Sequence, residues 1–246
     1  MPAVETTGTV VAQAALTGGR HLLAVSAPGV ARLAAPGQFA MLRAGDGLDP
    51  YLRRALPFAR LGGEVVSFLF TAEDPGLAWL ARRRLGDPVS LLGPLGHGFT
   101  LQPGTRHLLL VAPGEPIAPL LALADRALAR QVSVSLAAGE TFLAVLASII
   151  PEAVELAPAS EGHPEAFWGM VAGLLPWADQ VAAAGPADDL RRLAHLPSPG
   201  TGQVQCYVQA PIACGLGWCG ACLTELRRGP RRACTSGPVF ELIDLS

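Results

Sequence analysis

Hydrophobic and polar positions follow two rhythms along this chain. From about residue 3 to residue 100 the apolar residues form short or alternating runs: "TVVAQAAL", "HLLAVSA", "QFAMLRA", "EVVSFLF" and "PVSLLG", with glycine and proline turns between them. Regular short strands of this kind predict a small β-barrel. One helix interrupts them, with Asp74 as N-cap, Pro75 in its first turn, the run "GLAWLARRRL", and Gly86 beyond its end. From His107 the rhythm changes. "HLLLVA", "QVSVSLA" and "DQVAAA" read as buried strands, while "APLLALADRALAR", "FLAVLASII" and "PADDLRRLAHL" read as helices. Strands alternating with helices predict a parallel sheet. "HLPSPGTGQVQ" reads as a linker, and a cysteine-rich segment follows it. The expected order is therefore a β-barrel over 1–101, a small parallel-sheet α/β domain over 102–200, and a cysteine segment over 201–246.

Half of the 246 residues are apolar and 15% are charged, which describes a chain with a packed core. The net charge of -2 gives no electrostatic footprint for nucleic acid. The most apolar stretch, "HLLLVAPGEPIAPLLALA", is broken by Glu115 and three prolines, so no run of about 20 apolar residues is long enough to span a membrane. "MPAVETTGTVVAQ" has neither the basic start nor the apolar stretch of a signal peptide, and the chain reads as cytoplasmic. In that reducing setting clustered cysteines point to metal ligation more than to disulfides.

Four of the five cysteines fall near one end, spaced C-x4-C-x2-C-x11-C: Cys214, Cys219, Cys222 and Cys234. The first three match the plant-type spacing for a [2Fe-2S] cluster, in which one loop wraps a face of the cluster and a distant cysteine completes the set. Gly215, Gly217 and Gly220 lie between them. Glycine admits positive φ and lets backbone N–H groups approach the sulfurs. A structural zinc site is the main alternative, although zinc sites more often use two separated C-x2-4-C pairs; free thiols are the remaining reading. Cys206, in the alternating run "GQVQCYVQA", reads as a packed residue. A cluster carries electrons without doing further chemistry, so the rest of the chain is expected to hold a second redox partner.

The segments "APGQFAMLRAGDGLDPYLRRALPF" (35–58), "GDPVSLLGPLGHGF" (86–99), "DQVAAAGPADDL" (179–190) and "ACGLGWCGACLTEL" with "ACTSGPVF" (213–240) resemble the ferredoxin–NADP reductase superfamily. More closely, the chain resembles the electron-transfer subunits of NAD-linked dihydroorotate dehydrogenase. The resemblance implies an FAD-binding barrel, a nicotinamide-binding α/β domain and a C-terminal [2Fe-2S] segment. It also implies a partner, an FMN-containing dihydroorotate dehydrogenase catalytic subunit, in pyrimidine biosynthesis. The family's flavin motifs fall on Arg54, Leu56, Pro57, Phe70, Thr71, Gly76 and Leu77. Arg54 keeps the charge that would neutralise a diphosphate. Pro57 stands where the family has serine, Thr71 where it has arginine, and Leu77 where it has threonine. The nicotinamide loop is represented by "APGEPIAPL" (112–120), in which only Gly114 and Pro119-Leu120 match the family's glycine-rich pattern. Pro113 and Pro116 remove two N–H donors there and Glu115 adds a negative charge, so NAD binding is not expected. The family's Cys-Gly-Pro is Ala184-Gly185-Pro186.

Other features have plainer readings. "GPLGHGF" is expected to set a turn after the barrel. The basic runs "ARRR" (81–84) and "RRGPRR" (227–232) read as a solvated helix end and a hairpin, the second with a potential to dock an acidic partner. The five histidines, at 21, 97, 107, 163 and 195, have no metal-ligand spacing. No nucleophile-and-base set stands out, as suits a protein whose cofactors carry the chemistry. Two alternatives to the main reading remain. The same scaffold could serve another oxidoreductase (a sulfide dehydrogenase, a hydrogenase or a ferredoxin-linked enzyme), or it could be a flavin-free subunit that keeps the cluster or only the fold.

Overall fold

The computed structural model describes residues 3–114, 116–139, 142–143, 147–159, 164–197 and 203–245. The alternating runs of the first part form β1 (Val4–Ala15), β2 (Arg20–Ser26), β3 (Phe39–Leu42), β4 (Arg54–Gly62), β5 (Val65–Thr71) and β6 (Pro88–Leu95). They close into an antiparallel barrel in the order β1-β2-β5-β4-β3-β6. Its interior is filled by residues such as Leu23, Leu42, Phe58, Phe68 and Leu91, all fully buried. Strand β4 is absent from the sequence-based list because Arg54, Pro57 and Arg60 disguise its alternation. The ladder continues past Pro57, where Phe58 N–H donates to the Gln38 carbonyl (3.1 Å).

A short helix, α1 (Pro28–Ala31), follows β2, and α2 (Pro75–Ala81) lies between β5 and β6. Asp74 caps α2 as expected, its carboxylate accepting from Gly76 N and Leu77 N. The helix stops at Ala81, four residues before the end the sequence suggested. Gly86, at φ +88°, shapes the following turn instead, where Asp87 accepts from Arg84 N (2.8 Å).

The second part contains β7 (His107–Ala112), α3 (Ala118–Leu128), β8 (Ser133–Gly139), β9 (Val154–Ala159), α4 (Pro164–Leu174), β10 (Gln180–Gly185), α5 (Ala187–Arg191) and β11 (Val204–Val208). The five strands are mutually parallel, in the spatial order β9-β8-β7-β10-β11. The chain thus leaves β7 in one direction and returns at β10 in the other, the doubly-wound order with its switch point between those two strands. Strand β9 and helix α4 were not anticipated, since "VELAPA" carries a proline and no sustained alternation and α4 has apolar residues nearly all round. Of the helix expected over 142–150, only Phe142 and Leu143 are helical; residues 147–149 form a turn, and 144–146 lie outside the described residues.

Past the expected boundary at residue 200, the sheet goes on. β11 is its fifth parallel strand, and β14 (Val239–Glu241) adds an antiparallel edge. The cysteine segment is therefore inserted between two strands of the α/β sheet. It holds the hairpin of β12 (Leu223–Thr224) and β13 (Arg231–Arg232) and the single turn α6 (Ala233–Ser236). A last turn, α7 (Leu242–Leu245), ends the described chain.

Polar joints fix the parts relative to one another. Gln180 and Gln205, buried at the start of their strands, accept from Gln102 N (3.0 Å) and Thr100 N (2.9 Å), the connection out of the barrel. Arg60 of β4 pairs with Asp125 of α3 and donates to the Ile149 carbonyl. "GPLGHGF" is a third joint. Gly96 has φ +73°, and a Cβ there would lie 2.6 Å from the Gly237 carbonyl; at Gly98 it would lie 2.3 Å from the Pro36 carbonyl. Gly96 lets the barrel and the cysteine segment touch backbone to backbone, with His97 N–H donating to the Gly237 carbonyl.

Candidate functional site

The cysteine loop folds as its glycines suggest. Gly215, Gly217 and Gly220 have φ of +72°, +82° and +74°. At Gly215 a side chain would collide with Met41 (2.7 Å) and Leu95 (3.1 Å), so the loop lies directly on the barrel wall. Cys222 and Cys234 are buried, Cys214 is half-buried and Cys219 exposed, all as free thiols. The four lie close enough to perturb one another: Cys219 acts on Cys214, and both Cys222 and Cys214 act on Cys234. The amide N–H of Cys219, then that of Leu216 (3.5 Å), hold the Cys214 thiol down to about 6. Burial, and then the neighbouring Cys222, push Cys234 up to about 11. A thiolate cradled by amides is the form that binds metal. Among the described residues no group of three or more His, Cys, Asp or Glu side chains is already placed to hold a metal ion. Cys206 is elsewhere: fully buried in β11, its thiol pushed well up by burial.

Five of the seven expected flavin residues come together. Leu56, Pro57, Phe70, Thr71 and Leu77 line a cleft of about 210 Å³ between the barrel and the start of α3, closed on the far side by Pro116, Ile117 and Ala118. Its walls mix apolar side chains with polar groups, Arg20, Thr71, Glu73 and Gln209 among them. The volume is below the 300–1,000 Å³ usual for ligand sites, so a flavin dinucleotide would have to extend beyond it. From Gln209 the chain runs into Cys214; five residues at no more than ~3.6 Å each place the two within about 18 Å.

Arg54 and Gly76, the other two, lie side by side outside this lining. A Cβ on Gly76 would fall 2.8 Å from the Arg54 guanidinium carbon. That guanidinium is engaged by Asp74, with Nε 2.9 and 3.0 Å from the two carboxylate oxygens. Burial pushes the Asp74 carboxyl up, but hydrogen bonds from Arg54, Leu77 N and Gly76 N outweigh it and leave the group below its usual value. The sequence reading took Arg54 as a free cation and Asp74 as a cap alone. In the fold one carboxylate does both jobs, so an external diphosphate would have to compete with it. The five cleft residues are those that could hold a flavin ring, while Arg54, which the resemblance sets at the phosphates, is held by the chain's own anion.

At the switch point the carboxyl ends of β7 and β10 face each other, where a doubly-wound sheet offers its crevice. Here Pro113 packs against β10: a Cβ on Gly185 would be 3.2 Å from its ring. Helix α3 begins after Ile117 with Pro119 in its first turn and no side-chain cap. Glu115, expected to repel a phosphate, lies outside the described residues, as does His163.

A barrel followed by a doubly-wound sheet, with an apolar cleft between them, defines the ferredoxin reductase-like fold, and solved structures agree. The chain is similar to the structure reported as "Insights into flavin-based electron bifurcation via the NADH-dependent reduced ferredoxin-NADP oxidoreductase structure", with a TM-score of 0.79 at 19% identity, covering 96% of this chain and 88% of that one. A ferredoxin NADP+ reductase from Neisseria gonorrhoeae with bound FAD and NADP gives 0.61 at 18% identity, covering 82% and 98%. Residues 209–246 match the iron-sulfur cluster binding domain of dihydroorotate dehydrogenase B. Over 250 residues the chain is 30% identical to the dihydroorotate dehydrogenase B (NAD(+)) electron transfer subunit of Geobacillus thermodenitrificans, 94% of this chain and 95% of the relative. The corresponding subunit of Clostridium acetobutylicum is 29% identical over 208 residues, 83% of each. The chain belongs to the family of dihydroorotate dehydrogenase B electron-transfer subunits, which serve pyrimidine biosynthesis.

Proposed function

We propose that Cys214, Cys219, Cys222 and Cys234 hold one [2Fe-2S] cluster, and that the chain passes electrons between it and FAD, to or from an FMN-containing dihydroorotate dehydrogenase catalytic subunit. The observation that carries this is the cysteine loop: Gly215, Gly217 and Gly220 at positive φ, the Leu216 amide aimed at the Cys214 sulfur, and the loop seated on the barrel at Met41 and Leu95. Cys214 and Cys219 would take one iron, Cys222 and Cys234 the other. When bound, the cluster supplies one-electron transfer. The chain's part is to shield Cys222 and Cys234, to leave Cys219 at the surface, and to keep the loop close to the cleft through Gln209.

The cleft of Leu56, Pro57, Phe70, Thr71 and Leu77 is the proposed seat of the flavin ring, with Arg54 and Gly76 beside its phosphates. The nicotinamide crevice is read as unsuited to a nucleotide, because Pro113, which lies beside Gly185, contributes no N–H there. No helix among the described residues is long and apolar enough to cross a membrane, and four thiols kept for metal fit a cytoplasmic protein. A second reading, a cluster-bearing subunit without flavin, is favoured by one observation, the Arg54–Asp74 pair. Anaerobic reconstitution with iron and sulfide, followed by metal, acid-labile sulfide and flavin analysis, tests both. Equal iron and sulfide with bound FAD supports the main reading; a cluster without flavin supports the second. Zinc at one equivalent without sulfide refutes the cluster.

A further inference from the structure

Among the described residues, eight of the 18 arginines form ion pairs: Arg32, Arg53, Arg54, Arg60, Arg83, Arg106, Arg191 and Arg192. The hairpin over 227–232 gathers four arginines into six residues. Arg227, Arg228, Arg231 and Arg232 are all exposed, and among the described residues none has an ion-pair partner. The one side-chain hydrogen bond there, Arg231 to the Pro230 carbonyl, leaves its charge unpaired. Asp244 shares a hollow of about 250 Å³ with Arg228 and Arg231 without pairing to either. Four like charges within six residues repel one another, so folding of this chain alone gains nothing from them.

Their position is next to the cysteine loop. β12 and β13 pair Leu223 with Arg232 and Thr224 with Arg231, and Ala233 N–H donates to the Cys222 carbonyl (2.9 Å). The stem of Arg232 lies against the corner of the loop, 3.7 Å from where a Cβ on Gly217 would be. Beside that corner stand Trp218, Leu216 and Leu223, with relative exposures of 87%, 49% and 53%. An exposed tryptophan among aliphatic residues, bordered by arginines, has the composition of a protein–protein interface with an apolar centre and a charged rim.

We propose that this hairpin docks a carboxylate-rich patch on the dihydroorotate dehydrogenase catalytic subunit, and that docking covers the Leu216–Trp218 corner and the exposed Cys219. The inference rests on the functional reading above and adds the chemistry of the partner's surface. The local charge argues for it. The chain carries a net charge of -2, so this local excess of cations is directed rather than general, and a protein face accounts for the apolar centre as well as for the rim. The arginines steer encounter; Trp218 and its neighbours hold the complex once formed.

The test uses the full-length, cluster-reconstituted protein and its separately purified catalytic subunit, with association and dissociation rates measured across a range of sodium chloride. Wild-type association should slow steeply as salt is added. The R227Q/R228Q/R231Q/R232Q variant should associate about ten- to a hundredfold more slowly at low salt, with little further salt dependence. Trp218→Ala should instead speed dissociation. R126Q/R130Q, on the exposed side of α3 and just beyond it, should match the wild type. Iron and sulfide content checks that each variant keeps its loop. A wild-type complex that the fourfold variant equals in affinity and salt dependence overturns the docking proposal alone. An equal loss in R126Q/R130Q overturns it too, since net charge would then be the cause. Tight wild-type binding to heparin or anionic vesicles, with no effect of the fourfold variant on the subunit complex, gives the hairpin to another partner. No wild-type complex at all overturns the functional reading together with the docking.

Discussion

Removing the Asp74 carboxylate should weaken the free protein and strengthen its hold on FAD. Asp74→Ala deletes the cap of α2 and the partner of Arg54 at once. Loss of an N-cap costs about 1 kcal/mol. The Arg54–Asp74 pair has side chains 22% and 37% exposed, so solvent screening limits it to about 0.2–1 kcal/mol. Together these predict a loss of roughly 1–2 kcal/mol, or about 2–8 °C in Tm at about 2–4 °C per kcal/mol for a chain of this size. The same change frees the Arg54 guanidinium and two amides for a diphosphate. A charge-assisted hydrogen bond of about 1.5–3 kcal/mol corresponds to roughly ten- to a hundredfold in affinity. Asp74→Asn separates the two effects, because asparagine caps a helix about as well as aspartate but carries no charge: it should bind FAD more tightly with little loss of Tm. Thermal denaturation with and without FAD, plus titration of the apoprotein by flavin fluorescence, reads both quantities. The sign with pH follows from the depressed carboxyl. Its stabilising contribution is complete above the unfolded value near 3.9 and is lost as pH falls through the lower folded value. The Tm difference between wild type and Asp74→Asn should therefore vanish only in strong acid. Unchanged or weaker FAD binding by Asp74→Asn would refute the idea that this carboxylate competes with the flavin's phosphates.

Three further outcomes are expected. Cys234→Ser should lose most of the reconstituted iron and sulfide and Cys206→Ser should lose none; equal loss in both would show that the buried β11 thiol is a ligand. Gly96→Ala should destabilise the protein by about 2 kcal/mol or more, because a residue at φ +73° is forced onto the Gly237 backbone, and a Tm within 2 °C of wild type would mean that the joint gives way easily. Flavin-loaded protein mixed with NADH in a stopped-flow instrument should bleach slowly or not at all while dithionite reduces it normally; fast bleaching at micromolar NADH would show that Pro113 and Pro116 leave the crevice open.

Local chemistry alone determined much of this protein. The spacing and glycines of the cysteine run, the alternation in β2, β5 and β6, the apolar runs of β7 and β10 and the cap of α2 all lie within a few residues of what they specify, so they could be read from the chain. Strand β4 could not, because its charged and cyclic residues obey the barrel around them and not a period of their own. The place of β11 was hidden as well. The sheet takes it up across a segment that reads as a linker, since pairing with β10 is a contact between distant stretches. Least legible was the fate of single charged side chains. Arg54 and Asp74 stand 20 residues apart, and only the closure of the barrel brings the carboxylate onto the guanidinium. The isolation of the hairpin arginines was equally out of reach, because the absence of a partner is a property of everything that folds nearby. Periodicity and spacing are local; pairing of charge, closeness of backbone and exposure of a surface depend on the whole fold.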